Sequence, residues 1–239
     1  MPSLHIALTT KELSTISLSQ KIVILVDALF GTTTIVDALG NGAHAVVIKE
    51  DANDISAETQ KYQSDKVYTL TDSLNAFPEA AIYLPSTLHG NKLEGKTLIY
   101  KASSIHSALK LIHSSDEIYA GSLLNGPGLA HAIAQKNHKP DIVFVCAGEA
   151  DNFNLEDFFC TGYLVDLFGT ALGPGINFSD AALGARFLYR GGRPTESMLA
   201  SRIGRAFVEN ELEEAVRYAS QRDKFEVVPK YVDGKFIAI

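Results

Sequence analysis

The chain has 239 residues, 46% hydrophobic and 21% charged, with a net charge of −7, a composition that buries a full core and excludes disordered and repeat classes. No apolar run approaches the roughly 18 residues needed to cross a bilayer, and Met1-Pro2-Ser3-Leu4-His5 lacks a charged region followed by an apolar one, so a soluble cytoplasmic protein with no membrane partner is expected. An acidic chain without a basic stripe makes nucleic acid an unsuitable partner, and two cysteines, Cys146 and Cys160, are too few for a disulfide framework or a zinc site.

Strand and helix patterns alternate along the chain, the signature of an α/β fold with a largely parallel or mixed sheet. Strand-like runs fall at Leu4–Thr9, Lys21–Val26, Ala45–Ile48, Val67–Leu70, Ala80–Leu84, Thr97–Tyr100, Glu117–Ala120, Asp141–Cys146 and Glu226–Tyr231. Between them, Thr32–Leu39 reads as a helix stopped by Gly40-Asn41-Gly42, Ser103–Ile112 puts four apolar residues on one face, and Asn125–Gln135 opens on a Gly126-Pro127-Gly128 turn. Leu155–Leu172 reads as the longest apolar helix, with Asn152 or Asn154 as its N-cap and Glu156 and Asp157 in its first turn. Beyond Gly173-Pro174-Gly175 the pattern turns helical: Asn177-Phe178-Ser179-Asp180 caps a helix through Tyr189, and others run from Glu196 to Val208 and from Leu212 to Ser220. A strand and the turn Asp233-Gly234 follow. With no repeat and no long linker, residues 1–239 read as one domain with a helical C-terminal portion packed on the sheet.

Two strand exits carry acids. Asp27 ends Ile22-Val23-Ile24-Leu25-Val26 and leads into Gly31-Thr32-Thr33-Thr34; Cys146-Ala147-Gly148 leads to Phe153-Asn154-Leu155-Glu156-Asp157. Open α/β sheets bind ligands at the carboxyl ends of their strands, so the pair suggests a metal or phosphate site. Plain structural roles stand beside this. First-turn acids satisfy the helix macrodipole, and threonines cap helices. Residues 1–185 carry 11 Lys, no Arg and 20 acids, whereas residues 186–239 carry 7 Arg, 3 Lys and 8 acids. An arginine grip on an anion must therefore come from Arg186, Arg190, Arg193, Arg202, Arg205, Arg217 or Arg222.

Other chemistries find less support. Cys146 ends a strand without the Cys-x5-Arg phosphate loop that a thiol phosphatase needs, and packing is its expected role. His44, His89, His106, His113, His131 and His138 show no metal-ligand pair on a helix face. Gly121-Ser122-Leu123-Leu124-Asn125-Gly126-Pro127-Gly128 matches neither a Walker loop nor a dinucleotide fingerprint, and reads as a helix entry.

At its two acidic exits the chain resembles the 2-phosphosulfolactate phosphatases, magnesium-dependent enzymes associated with coenzyme M synthesis. The family pattern D-V-L-R-A-T-T-T-I-x-x-A-L-A-N-G-A stands here without gaps as Asp27-Ala28-Leu29-Phe30-Gly31-Thr32-Thr33-Thr34-Ile35-Val36-Asp37-Ala38-Leu39-Gly40-Asn41-Gly42-Ala43, and C-A-G with F-N-L-E-D is kept at Cys146 and Phe153. Weaker echoes lie at Ser179-Asp180-Ala181-Ala182, Ser201 with Gly204-Arg205, and Val228-Pro229 with Asp233-Gly234. The resemblance implies a three-layer α/β/α domain, a homodimer and a small anionic phosphorylated substrate. It also implies Asp27, Glu156 and Asp157 as catalytic and Mg²⁺-holding acids, and Thr32, Thr33, Lys101, Ser103 and Arg205 as substrate-binding groups. There are departures. Phe30 replaces the family arginine, the G-E-R and G-N-S-P elements are missing between Tyr68 and Ser86, and T-T-T-N-G-T aligns with Lys101-Ala102-Ser103-Ser104-Ile105-His106. Arg205 or Arg186 is the candidate to restore the lost charge, and Ile105 in place of glycine is expected to obstruct a ligand if a positive φ is needed there. A phosphatase of weak activity or changed substrate is expected. The second reading is a catalytically lapsed relative that binds a small anionic metabolite or a protein partner.

Overall fold

The computed structural model describes residues 2–71, 81–82, 93–137, 139–148 and 152–239. The strands are β1 (Ser3–Ala7), β2 (Lys21–Val26), β3 (Ala45–Lys49), β4 (Val67–Thr71), β5 (Ala81–Ile82), β6 (Thr97–Lys101), β7 (Glu117–Gly121), β8 (Asp141–Cys146), β9 (Asn177–Phe178), β10 (Pro229–Val232) and β11 (Lys235–Ala238). The helices are α1 (Gly31–Gly40), α2 (Ala52–Thr59), α3 (Ser103–Ile112), α4 (Gly126–Ala134), α5 (Leu155–Ala171), α6 (Asp180–Gly191), α7 (Pro194–Ala200), α8 (Arg202–Glu209) and α9 (Glu213–Ala219). Of the expected strand Ala80–Leu84, only Ala81–Ile82 lies within the described residues, as does neither His89 nor His138.

All eleven strands join one mixed sheet in the order β5-β4-β6-β3-β11-β10-β7-β2-β8-β1-β9. It consists of two sectors, β5-β4-β6-β3 and β7-β2-β8-β1-β9, each internally parallel. Between them lies the antiparallel hairpin β10–β11, which pairs Phe236 with Val46 on one side and Lys230 with Tyr119 on the other. The central strands β2, β3, β6, β7 and β8 are buried on both faces, which is why they read as nearly unbroken apolar runs. Along β2, Ile22, Ile24 and Val26 join one core and Val23 and Leu25 the other, the period of two that a strand imposes. The first core is completed by α4 to α9, the second by α1 and α3. This is the three-layer α/β/α arrangement.

The structure departs from the sequence reading in four places. The helix expected over Glu196–Val208 is two, α7 and α8, parted at Ser201, whose hydroxyl accepts from Gly204 N at 2.9 Å and caps the second. Helix α2 has no counterpart in the pattern because its sequence, Ala-Asn-Asp-Ile-Ser-Ala-Glu-Thr, is too polar to show an apolar stripe. The final strand is a full hairpin. Asn154 occupies the N-cap of α5 but makes no capping side-chain bond; its amide instead donates to Asn152 O at 3.2 Å. The glycine-rich stretch at 121–128 is a helix entry, as expected: Ser122 and Asn125 form a capping box ahead of α4.

One charged cluster ties the hairpin to the sheet. Glu117 on β7 receives Lys136 at 2.7 Å, Lys230 of β10 at 2.9 Å and the Tyr119 hydroxyl at 2.9 Å. Burial alone would raise its pKa, but these three partners outweigh burial and hold the carboxyl at about 2. A depressed carboxyl stabilises the fold above its unfolded pKa, and that stability disappears as pH falls through the folded value. Glu117→Gln is therefore expected to cost about 2–3 kcal/mol in urea unfolding at pH 7, a difference that shrinks by more than half near pH 3.

Candidate active site

Three strand exits meet beside Asp27. Its backbone N donates to Thr32 Oγ1 at 2.9 Å, and that hydroxyl lies 2.7 Å from Gly121 O, so the exits of β2 and β7 are stitched by one threonine. Thr33 Oγ1 donates to Ala28 O at 2.6 Å. Asp157, in the first turn of α5, accepts Ala28 N at 2.8 Å on Oδ1 and Gly148 N at 3.0 Å on Oδ2, tying the exit of β2 to that of β8. A Cβ on Gly148 would sit 2.5 Å from Asn154 Nδ2 and 2.7 Å from Asp157 Oδ2, so a larger residue there would displace these two side chains.

A cleft of about 360 Å³ opens at this junction, lined by Asp27, Ser104, Gly148, Asn154 and Glu156 on its polar side. Leu29, Phe30, Ile203, Ala206 and Phe207 form its apolar side. Ser104 Oγ donates to Asp27 Oδ2 at 2.9 Å, which fixes the carboxylate's orientation. Arg202, at the start of α8, donates to Asn154 Oδ1 at 3.2 Å.

The electrostatics of the junction are crowded. Burial pushes the Glu156 carboxyl above the ordinary carboxylate range and the Asp27 charge adds to this, while a Ser201 hydrogen bond and Arg202 oppose it. Asp157 is raised well above its ordinary value, first by burial and then by Asp27 and Glu156, against the two backbone N–H groups that it accepts. Three acids packed together with so little water repel one another.

The expected site residues therefore divide. Asp27 and Glu156 line the cleft, and Asp157 lies behind them, 1% exposed, with both oxygens engaged by backbone. Among the described residues no three His, Cys, Asp or Glu side chains form a metal-sized cluster. Thr32 and Thr33 are fully buried with their hydroxyls on backbone carbonyls rather than turned towards a ligand. Ser103 Oγ donates to Glu50 O at 3.3 Å, Lys101 ends β6 opposite Lys49, and Arg205 donates to Ala200 O; none of the three lines the cleft. Arg186 is held by Asp166 at 2.7 Å. The positive φ on which an obstruction by Ile105 depends is not found there. Ile105 is helical and fully buried, in the space left by Gly31, where a Cβ would come within 2.6 Å of Ile105 Cγ1.

Cys146 is buried with its sulfur 3.6 Å from Thr161 Oγ1, and burial pushes its thiol far up, as suits a packing residue. His106 contacts Glu50 and His113 contacts Lys110 O, while His44 and His131 are exposed, so the described histidines form no ligand pair.

The profile of the 2-phosphosulpholactate phosphatase family matches residues 7–234. The chain belongs to this family. Proteins named "Probable 2-phosphosulfolactate phosphatase" are similar along most of their length. That of Clostridium tetani is 25% identical over 236 residues, 97% of this chain and 98% of its own. That of Thermotoga maritima is 30% identical over 224 residues, 90% of each chain, and that of Caldanaerobacter subterraneus 27% over 225, 91% of this chain and 90% of its own.

Within this phosphatase family frame, the cleft-lining Ser104 and Asn154 and the neighbouring Ser201 had no site role assigned from sequence, while Arg202 was one of seven candidate arginines. A signal existed for two. Ser104 keeps the polar character of the family's anion-cradle segment, and Ser201 falls in one of the weaker motif echoes.

Proposed function

We propose that the chain is a phosphoric monoester hydrolase that works with Mg²⁺, with phosphosulfolactate hydrolysis as the family reaction against which its substrate is compared. The observation that carries this reading is that Asp27 and Glu156, 129 residues apart in sequence, line one cleft at adjoining strand exits. The donor set fits the ion. Mg²⁺ is usually held by one or two carboxylates with waters completing its shell, and Asp27 and Glu156 are two such carboxylates in a place where their mutual repulsion favours a cation between them. When bound, the ion would offset charge on the phosphoryl oxygens and lower the pKa of a coordinated water.

The chain's own groups do the positioning. Asp157 locks the turns after β2 and β8, so the two cleft acids keep a fixed spacing. Ser104 holds Asp27 Oδ2 in place, and Ser201 and Arg202 restrain Glu156 and Asn154. In the reaction, water forms a bond to phosphorus while the bond to the ester oxygen breaks, and the leaving oxygen takes up a proton as phosphate departs.

Phosphate release should be measured across phosphorylated hydroxy acids with Mg²⁺ and with a chelator, alongside melting curves. The expected result is release that requires Mg²⁺ together with a Mg²⁺-induced rise in melting temperature of about 5 °C at saturating ion. A folded protein that releases phosphate from no ester, with or without Mg²⁺, overturns the enzyme and leaves the lapsed binder.

A further inference from the structure

Half of the cleft is apolar, and this half is continuous with the acids. Phe30 stands at the exit of β2, and its ring lies 4.2 Å from that of Phe207, centroid to centroid, tilted by 43°. Phe30 is packed against both cores, at the rim where they meet. Leu29, Ile203 and Ala206 extend the same wall, and among the described residues no Lys or Arg lines the cleft. Arg202 reaches the lining through Asn154.

Phosphosulfolactate carries a sulfonate and a carboxylate besides its phosphate, and each desolvated anion needs a donor or a cation. A wall of two phenyl rings and three aliphatic side chains offers neither. It offers dispersion contacts and apolar surface to be removed from water. A volume of about 360 Å³ admits a small ligand of this kind.

We propose that this cleft takes a phosphomonoester whose alcohol part is apolar, aromatic or branched aliphatic, seated against Phe30, Phe207 and Ile203 with its phosphoryl group towards Asp27 and Glu156. The proposal rests on the phosphatase reading for the orientation of the phosphoryl end, while the apolar wall stands by itself.

Calorimetric binding of two non-hydrolysable probes in Mg²⁺ separates the possibilities. Phenylphosphonate carries the apolar group and phosphonoacetate carries a second anion. Phenylphosphonate is expected to bind wild type roughly tenfold more tightly, the return for burying one face of a small ring. Phe30→Arg should reverse this order, and Ile203→Ala, a milder truncation, should weaken phenylphosphonate about threefold with little change for phosphonoacetate. Circular dichroism and melting curves establish that each variant is folded. Equal affinities in wild type, a preference for phosphonoacetate, or binding of neither probe overturns the proposal. Phosphate release, assayed in parallel on phenyl phosphate and on phosphorylated hydroxy acids, reports on the enzyme separately. Tight phenylphosphonate binding without release from any ester upholds the ligand class and defeats the phosphatase reading. Release confined to the multiply anionic esters upholds the phosphatase and defeats the ligand class.

Discussion

Asp27→Asn is expected to lower Mg²⁺-dependent phosphate release at least a thousandfold, about 4 kcal/mol of transition-state stabilisation, while leaving the protein folded. Asparagine preserves the shape of the side chain and can still accept the Ser104 hydroxyl, so the geometry of the turn survives. What it loses is charge. With one carboxylate left on the cleft lining, the pull on a divalent ion falls, and the melting-temperature rise that Mg²⁺ gives wild type should largely vanish. Without Mg²⁺ the variant should melt no lower than wild type, because removing one of three crowded negative charges relieves repulsion on Glu156 and Asp157. A variant that keeps full activity, or that still gains the full Mg²⁺ stabilisation, places the chemistry elsewhere.

Asp157→Ala is expected to act on the fold before it acts on catalysis. The carboxylate is 1% exposed and accepts two backbone N–H groups from different strand exits. Removing it leaves both donors buried without partners, at about 1–3 kcal/mol each. Loss of a buried like charge offsets part of this, so the net cost should be about 2–4 kcal/mol, or a fall in melting temperature of roughly 5–12 °C for a chain of this size. Asp157→Asn should lie between, since its oxygen can satisfy one donor while its amide faces the other. Differential scanning calorimetry without Mg²⁺ tests the order of the three proteins. An alanine variant as stable as wild type would mean that water satisfies the freed amides and that the acid is not what holds the two exits together.

The strands around this site were legible because physics leaves them few alternatives. β2 and β8 keep their expected bounds to the residue, since a parallel strand covered on both faces must be an unbroken apolar run. The meeting of Asp27 with Glu156 was legible through motif resemblance and strand-end logic together. What each acid does there was not, because Asp157 and Glu156 are neighbours in sequence with opposite surroundings: one accepts backbone amides, and the other lines the cleft. Sequence shows the first turn of a helix but not which way each member faces. The threonines misled for a similar reason, because a hydroxyl after a strand serves equally as a ligand donor or as a stitch between loops. The break at Ser201 was hidden by an apolar pattern that runs through it. At the break Gly204 passes so close to Met198 O that a Cβ would lie 1.9 Å away, and the Ser201 hydroxyl caps α8 and also hydrogen-bonds Glu156. The hairpin had a local signal that was under-read. Asp233 and Gly234 both take positive φ, 49° and 82°, the twisted two-residue turn that Asp-Gly favours between antiparallel strands.

That hairpin has a consequence for biosynthesis. Residues 229–238 are the seam through which the two parallel sectors hydrogen-bond, so in a nascent chain that backbone pairing waits until this stretch has left the ribosome. Until then the open flanks at Val46 and Tyr119 offer unpaired backbone to any neighbouring polypeptide.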